Sequence, residues 1–372
     1  MPKIAFVSTM EGAPWGGSEE LWGQTAVRMA QAGIRVKANV VQWPDNPQVL
    51  QELEAAGGSV IRRPHSGHMS QKIMRRLGGE RIYQWLTTNS PDLVIISQGT
   101  NTDGLTWMEE CKKRSLPFAV IAQAAIDTFW PDSQMASRLA EAYGAAQASF
   151  FVSQGILELT ERQIAERLPN AAVVRNPFGV FYNAVPTWPQ EDKIFRLACV
   201  GRLAPSAKGQ DILLEVLSLD KWHRRALGVT FFGNGPNRDH LAKLAEMLNV
   251  KNVEFGGFVK DVRQIWASHH ALVLPSRYEG LPLVVVEAML CGRMCIVTDV
   301  PGNAELIEDN VTGFIAAAPK NFCLDEALER AWQARMQWQQ MGQTAAKQVR
   351  QAIPADPIAA FVEKLMPLLP SK

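Results

Sequence analysis

The chain has 372 residues, 47% of them apolar and 20% charged, with a formal net charge of +1. That length exceeds what one hydrophobic core usually serves, so two domains of ordinary size are expected, and the near-neutral balance speaks against nucleic acid as the main ligand. No apolar run reaches membrane-spanning length, the first residues lack the apolar core and cleavage site of a signal peptide, and the five cysteines show no metal spacing, so a cytoplasmic protein is expected.

Apolar strand-like runs alternate with helical patterns twice along the chain, the sign of parallel sheets covered by helices on both faces. The first series has strands at 3–8, 35–41, 59–62, 93–97, 118–122, 149–152 and 172–174, with a helix from Ser18, as its cap, to Ala32, closed by Gly33. Residues 181–192 carry Pro186 and Pro189 with little periodicity and read as a linker. The second series has strands at 195–200, 229–232, 253–255, 271–274, 294–298 and 314–316, a glutamine-rich helix at 324–351 and a last apolar helix at 358–369. The expected division is 1–180, linker 181–192, 193–354, and a C-terminal segment 355–372 that returns to the first domain. Parallel sheets bind ligands at the C-terminal ends of their strands, so the loops there carry the function.

The most informative loop is Pro275-Ser276-Arg277-Tyr278-Glu279-Gly280-Leu281-Pro282-Leu283, followed by a helix with Pro282 as its first residue and Gly292 as its end. That helix is apolar from Leu283 to Leu290 except for Glu287, so the charge needs a reason. Glu279 and Glu287 lie eight positions apart, roughly 12 Å at helical rise, with free backbone N–H groups at the helix start between them. A group that meets both acids and is anionic in its middle fits a sugar joined through a diphosphate to a nucleoside, with Glu279 on the sugar and Glu287 on the ribose. Taken alone, the pair reads better as a loop acid and an exposed helix acid. The other loops supply the context. Gly201-Arg202-Leu203 runs on to Lys208-Gly209, two cations suited to a diphosphate, though standing alone they would read as solvated surface charges. Gly233-Asn234-Gly235-Pro236 lets the backbone approach a ligand closely or serves as a tight turn, and Gly256-Gly257-Phe258-Val259 suits contact with a nucleobase or, alone, is only a turn.

With these motifs the chain resembles the GT-B fold glycosyltransferases of the large retaining family four, the glycosyl transferases group 1, strongly in its second half and in its first half only through Gly16-Gly17 and the general layout. The resemblance implies two Rossmann-like, doubly wound α/β domains facing across a cleft. It implies retaining transfer of a hexosyl-type sugar from a nucleoside diphosphate sugar, a UDP- or GDP-sugar before an ADP-sugar, without a required metal. The acceptor would be a saccharide, a lipid-linked or a small molecule. It assigns Arg202 and Lys208 to the diphosphate, Glu279 to the donor sugar and Glu287 to the ribose. Asn234, Val259, Gly280, Leu281, Pro282 and Leu283 would line the nucleotide-sugar site, with Gly17 approaching from the other domain. Many relatives carry a histidine after the strand at 118–122, where this chain has Gln123, a residue that can hydrogen-bond the donor sugar but cannot carry charge.

Three other readings stay open. A glycosidase would need its acids about 5 to 10 Å apart, closer than one helix is expected to hold Glu279 and Glu287. A catalytically weak nucleotide-sugar-binding subunit would suit Gln123, and an epimerase would need further acid and base groups. No metal is expected: His65 with His68, and His269 beside His270, read as ordinary loop or helix histidines. The basic run from Arg62 and Arg63 through Lys72, Arg75 and Arg76 to Arg81 suits a solvated face or a peripheral contact with an anionic membrane. Most of the eleven tryptophans, such as Trp22, Trp85 and Trp332, sit in helical patterns and are expected to pack.

Overall fold

The computed structural model describes residues 2–12, 14–65, 79–184, 186–189 and 194–370. The chain divides into two compact units, Met1–Pro177 with Asp356–Lys372, and Phe178–Ala355.

In the first unit seven strands form one parallel sheet: β1 (Lys3–Ser8), β2 (Arg35–Val41), β3 (Ser59–Arg63), β4 (Leu93–Gln98), β5 (Phe118–Ala122), β6 (Ala148–Phe151) and β7 (Ala171–Val173), in the order β3-β2-β1-β4-β5-β6-β7. Its helices are α1 (Gly17–Gln31), α2 (Gln48–Ala55), α3 (Gly79–Asn89), α4 (Leu105–Lys113), α5 (Ser133–Ala145) and α6 (Gln154–Ile164). Every residue of β4 and β5 is buried, as strands covered on both faces require, whereas edge strand β3 shows its first four residues exposed or half-buried.

The second unit repeats the plan with six strands. These are β8 (Phe195–Val200), β9 (Leu227–Phe232), β10 (Val253–Gly257), β11 (Ala271–Leu274), β12 (Met294–Thr298) and β13 (Gly313–Ala316), in the order β10-β9-β8-β11-β12-β13. Between them run α7 (Pro205–Lys208), α8 (Gln210–Leu217), α9 (Asp220–His223), α10 (Arg238–Met247), α11 (Arg263–Ser268) and α12 (Leu283–Leu290); α13 (Asn321–Gln333) and α14 (Trp338–Ala352) follow. The core joins β8, β9, β11 and β12 to α8, α13 and α14 through Leu197, Phe231, Val273, Ile296, Leu213, Leu328 and Trp338. The last helix, α15 (Pro357–Leu365), belongs to the first unit, where it packs on α1 and sets Phe361 edge-on against Phe150 at 5.1 Å.

The doubly wound α/β fold expected from the alternation of strands and helices is present in both units. Three local expectations are corrected. Ser18 does not cap α1: Gly16, in fully extended backbone, occupies that place and its carbonyl accepts from Glu19 N at 2.9 Å, while Glu19 and Glu20 supply the first-turn acids that favour a helix start. Pro282 is the cap of α12 rather than its first helical residue. The helix expected at 324–351 is two helices joined by a short 3₁₀ turn, Arg335–Gln337. No glycine or proline marks the break. Trp338 causes it by turning into the core, where it is 1% exposed and its indole N–H donates to the Ala331 carbonyl at 2.8 Å.

The expected linker at 181–192 lies in part, at residue 185 and residues 190–192, outside the described residues. Residues 178–184 pack within the second unit: the Tyr182 hydroxyl donates to the Arg350 carbonyl at 2.6 Å, and the Arg350 guanidinium donates back to the Tyr182 carbonyl at 3.0 Å. Arg293, 2% exposed, holds Thr187 by a 2.8 Å bond to its carbonyl and lies 5.0 Å over the Trp188 ring.

Candidate functional site in the second unit

In an open parallel sheet the crevice opens where strand order reverses, which in the second unit is between β8 and β11. The loops after these two strands carry Lys208 and Glu279, and the structure brings them into contact: Lys208 Nζ lies 2.6 Å from Glu279 Oε1. The Ser276 hydroxyl donates to the same oxygen at 2.6 Å. Glu279 is 7% exposed, so its carboxylate has lost most of its water, and a cation with a hydroxyl replaces it.

The two loops are also bound to each other away from that pair. Arg277 makes a two-pronged contact with Asp211, at 2.6 and 2.8 Å, and donates to the Pro205 carbonyl at 2.6 Å, while its main-chain N–H donates to the Ala207 carbonyl at 2.8 Å. Beneath Ser276, the Thr298 hydroxyl donates to its carbonyl at 2.5 Å, and Asn303 in turn donates to the Thr298 carbonyl at 2.9 Å. Lys208 and Glu279 are therefore fixed at both bases, which is what a preorganised electrostatic site requires.

Glu287 lies on α12, whose run Leu-Val-Val-Val disfavours helix through its branched side chains; burial of all but the first two residues decides in favour of helix. The acid is 7% exposed, and burial raises its pKa above the ordinary carboxylate value, opposed by one main-chain donor, the Gly179 N–H, 2.8 Å from Oε1. A carboxylate kept in such a place, with no salt bridge among the described residues, costs stability.

Of the remaining expected residues, Gly280 and Leu283 are half-buried and Leu281 and Pro282 buried in the loop and helix start that separate the two acids. Arg202 is exposed in the loop after β8, and its carbonyl accepts from Gln210 Nε2 at 2.9 Å. Asn234 is exposed, and its carbonyl accepts from Leu203 N at 3.0 Å. Val259 is half-buried behind Phe258, which is 70% exposed. At Gly233 a Cβ would come within 2.2 Å of Gly201 O, and at Gly235 within 2.3 Å of Leu203 O, so the close approach of the loop after β8 requires glycine at both. His269 and His270 are packing residues. His269 is buried, which lowers its pKa, with its Nε2 3.1 Å from the Thr230 hydroxyl, and His270 Nδ1 accepts from Arg196 N at 3.0 Å. Among the described residues no group of three or more His, Cys, Asp or Glu side chains is arranged to hold a metal ion.

Gly17 and Gln123 belong to the first unit. Gly17 opens α1. Gln123 is 5% exposed; its side-chain Oε1 accepts from Asn176 Nδ2 at 2.8 Å, but among the described residues its buried Nε2 meets no acceptor and Asn176 Oδ1 meets no donor. Of the basic run, Arg63 is corrected: it is buried, donating to the Asn39 side chain at 2.9 Å and to the Ser8 carbonyl, and so is not part of a surface patch. Arg62 pairs with Glu54 at 3.0 Å; His68, Lys72, Arg75 and Arg76 lie outside the described residues, as does the Arg81 side chain.

Ser276, Arg277, Asp211 and Gly179 were absent from the expected site. Arg277 and Ser276 stand in the singled-out loop and carried a readable hint, two polar residues just before the acid. Gly179 carried none, because its partner is 108 positions away.

Comparison with known proteins bears on this same stretch. Residues 194–333 match the family model Glycosyl transferases group 1. That segment is a group 1 glycosyltransferase domain. A poly(ribitol-phosphate) alpha-N-acetylglucosaminyltransferase of Staphylococcus aureus is 31% identical over 168 residues, 43% of this chain and 33% of the relative. An alpha-D-kanosaminyltransferase of Streptomyces kanamyceticus is 31% identical over 134 residues, 35% of this chain and 34% of that relative. The matched stretch thus spans about a third of the length of these curated relatives. Among solved structures, HepE of Anabaena in complex with UDP aligns over 99% of this chain and 100% of its own with a TM-score of 0.76 at 18% identity. The fold is GT-B, two parallel-sheet α/β units, and the matched segment includes Arg202, Lys208, Glu279 and Glu287.

Proposed function

We propose that the protein is a retaining glycosyltransferase that moves a hexosyl-type sugar from a nucleoside diphosphate sugar, a UDP- or GDP-sugar, to a saccharide, lipid-linked or small-molecule acceptor, without needing a metal. The observation that carries this is the Lys208–Glu279 pair at the strand-order reversal of the group 1 domain.

Lys208 has three donors and can bond a diphosphate while it holds Glu279; Arg202 adds a planar fork on the same loop. As the bond from sugar to diphosphate breaks, negative charge grows on the leaving oxygens, and these cations with the N–H groups opening α12 stabilise it. Glu279, steadied by Ser276 and Lys208, accepts hydrogen bonds from hydroxyls of the transferred sugar. Glu287 accepts those of the ribose, which its buried setting rewards. In the first unit, the orphaned Gln123 Nε2 is proposed to donate to the substrate, since a buried amide without an acceptor otherwise costs stability. That HepE was crystallised with UDP and with UDP-glucose supports the choice of donor class.

The test is release of nucleoside diphosphate from UDP- and GDP-sugars in the presence of a chelator, with product anomers read by NMR. Release that needs Lys208 and Glu279, and a product of unchanged anomeric configuration, is the expected result. Cleavage of simple glycosides without any nucleotide sugar would overturn it in favour of hydrolysis.

A further inference from the structure

The main-chain N–H of Gly179 reaches Glu287 Oε1 at 2.8 Å, and a Cβ placed on Gly179 would stand 3.1 Å from that oxygen. Gly179 does not sit in the left-handed region of the backbone, so its conformation does not require glycine. What limits side-chain growth there is the carboxylate itself.

The segment holding Gly179 is fastened to the helix that carries the acid. The Arg350 guanidinium donates to the Tyr182 carbonyl at 3.0 Å and to the Leu290 carbonyl at 3.0 Å, the latter at the C-terminal end of α12, where unpaired carbonyls welcome a cation. The Tyr182 hydroxyl donates to the Arg350 carbonyl at 2.6 Å, and the Arg263 guanidinium covers the Phe181 ring at 4.6 Å. One arginine thus ties residue 182 to residue 290, and the peptide three residues earlier meets the acid one turn earlier.

We propose that Gly179, held in register by Tyr182 and Arg350, is a positioning residue that orients the Glu287 carboxylate for a ribose diol. This rests on the reading of Glu287 as the ribose acceptor. A carboxylate that takes one hydrogen bond from a fixed main-chain donor cannot rotate freely, so its remaining lone pairs are aimed before the nucleotide arrives. A methyl group at position 179 would push that oxygen by a few tenths of an ångström and spoil the aim without removing the charge.

The test is calorimetric titration of the full chain with UDP and GDP and with their 2′-deoxyribose counterparts, for the wild type, Glu287→Gln, Gly179→Ala and Tyr182→Phe. The quantity read is the preference for ribose over deoxyribose. The wild type is expected to show a clear preference and Glu287→Gln to lose most of it. Gly179→Ala and Tyr182→Phe should each reduce it by about threefold or more. A merely structural role would weaken ribose and deoxyribose nucleotides equally, and that result, with Glu287→Gln still erasing the preference, overturns the positioning role and leaves the ribose reading standing. A preference that survives Glu287→Gln, or a wild type with none, overturns the ribose reading itself and the positioning role with it. If Gly179→Ala does not fold, Tyr182→Phe gives the answer alone.

Discussion

The two units share a topology, yet Glu19 of the first and Glu279 of the second, both buried acids, are held in opposite ways. In the first, Glu19 at the start of α1 is 4% exposed and accepts from the Ser8 hydroxyl at 2.7 Å and the Trp22 indole at 3.0 Å, both neutral donors; burial raises its pKa, and the nearby Arg63 guanidinium, itself lowered to about 10 by burial, spends its bonds on backbone and an amide. In the second, Glu279 accepts from a lysine that stands 24% exposed. Glu19, bonded to Ser8 of β1 and Trp22 of α1, joins those two elements together. An acid bonded to a cation that still meets solvent can exchange partners with an anionic ligand, and this is why the chemistry is assigned to the second unit.

The largest expected effect is on that exchange. Lys208→Ala should lower sugar transfer per folded molecule by about 100-fold or more, the scale of removing one donor from a preorganised charge-stabilising site, and should lower thermal stability as well, because Glu279 stays buried without its cation. Transfer at the wild-type rate would erase the contrast between the units. Next, Glu287→Gln should weaken nucleotide binding by about 10-fold, as expected for the loss of a hydrogen bond to a charged acceptor, measured by calorimetry.

Glu19 gives the complementary experiment. A carboxyl whose folded pKa is raised contributes stability below its unfolded value of 4.5 that is lost as pH rises through the folded pKa. Denaturant unfolding across that range should therefore show the wild type falling relative to Glu19→Gln as pH increases, while transfer activity per folded molecule stays comparable. A stability difference independent of pH would contradict the assignment. The smallest effect is expected at the exposed pair Arg28–Asp356, 2.8 Å apart, which joins α1 to the cap of α15: Arg28→Ala should cost less than about 1 kcal/mol.

Much of this architecture was legible from residue patterns, because central strands such as β4 and β11 are continuous apolar runs and because Pro282 and Gly292 bracket α12. The acids of the proposed site stood out for the same reason: Glu287 is a charge in an otherwise apolar helix. What escaped depends on distant partners. The break between α13 and α14 comes from Trp338 finding the core, the binding of the two loops comes from Arg277 meeting Asp211 across 66 positions, and the Glu287 contact comes from a glycine 108 positions earlier. Arg63 was misjudged because a basic run says nothing about which of its members turns inward.

The account stands most directly on whether Lys208 and Glu279 form a diphosphate site. Calorimetric titration of UDP and GDP into the wild type and Lys208→Ala decides it: binding of at least one nucleotide, weakened by about 10-fold or more in the variant, is the predicted result. Equal affinity in the two proteins, or no binding by the wild type, would contradict it.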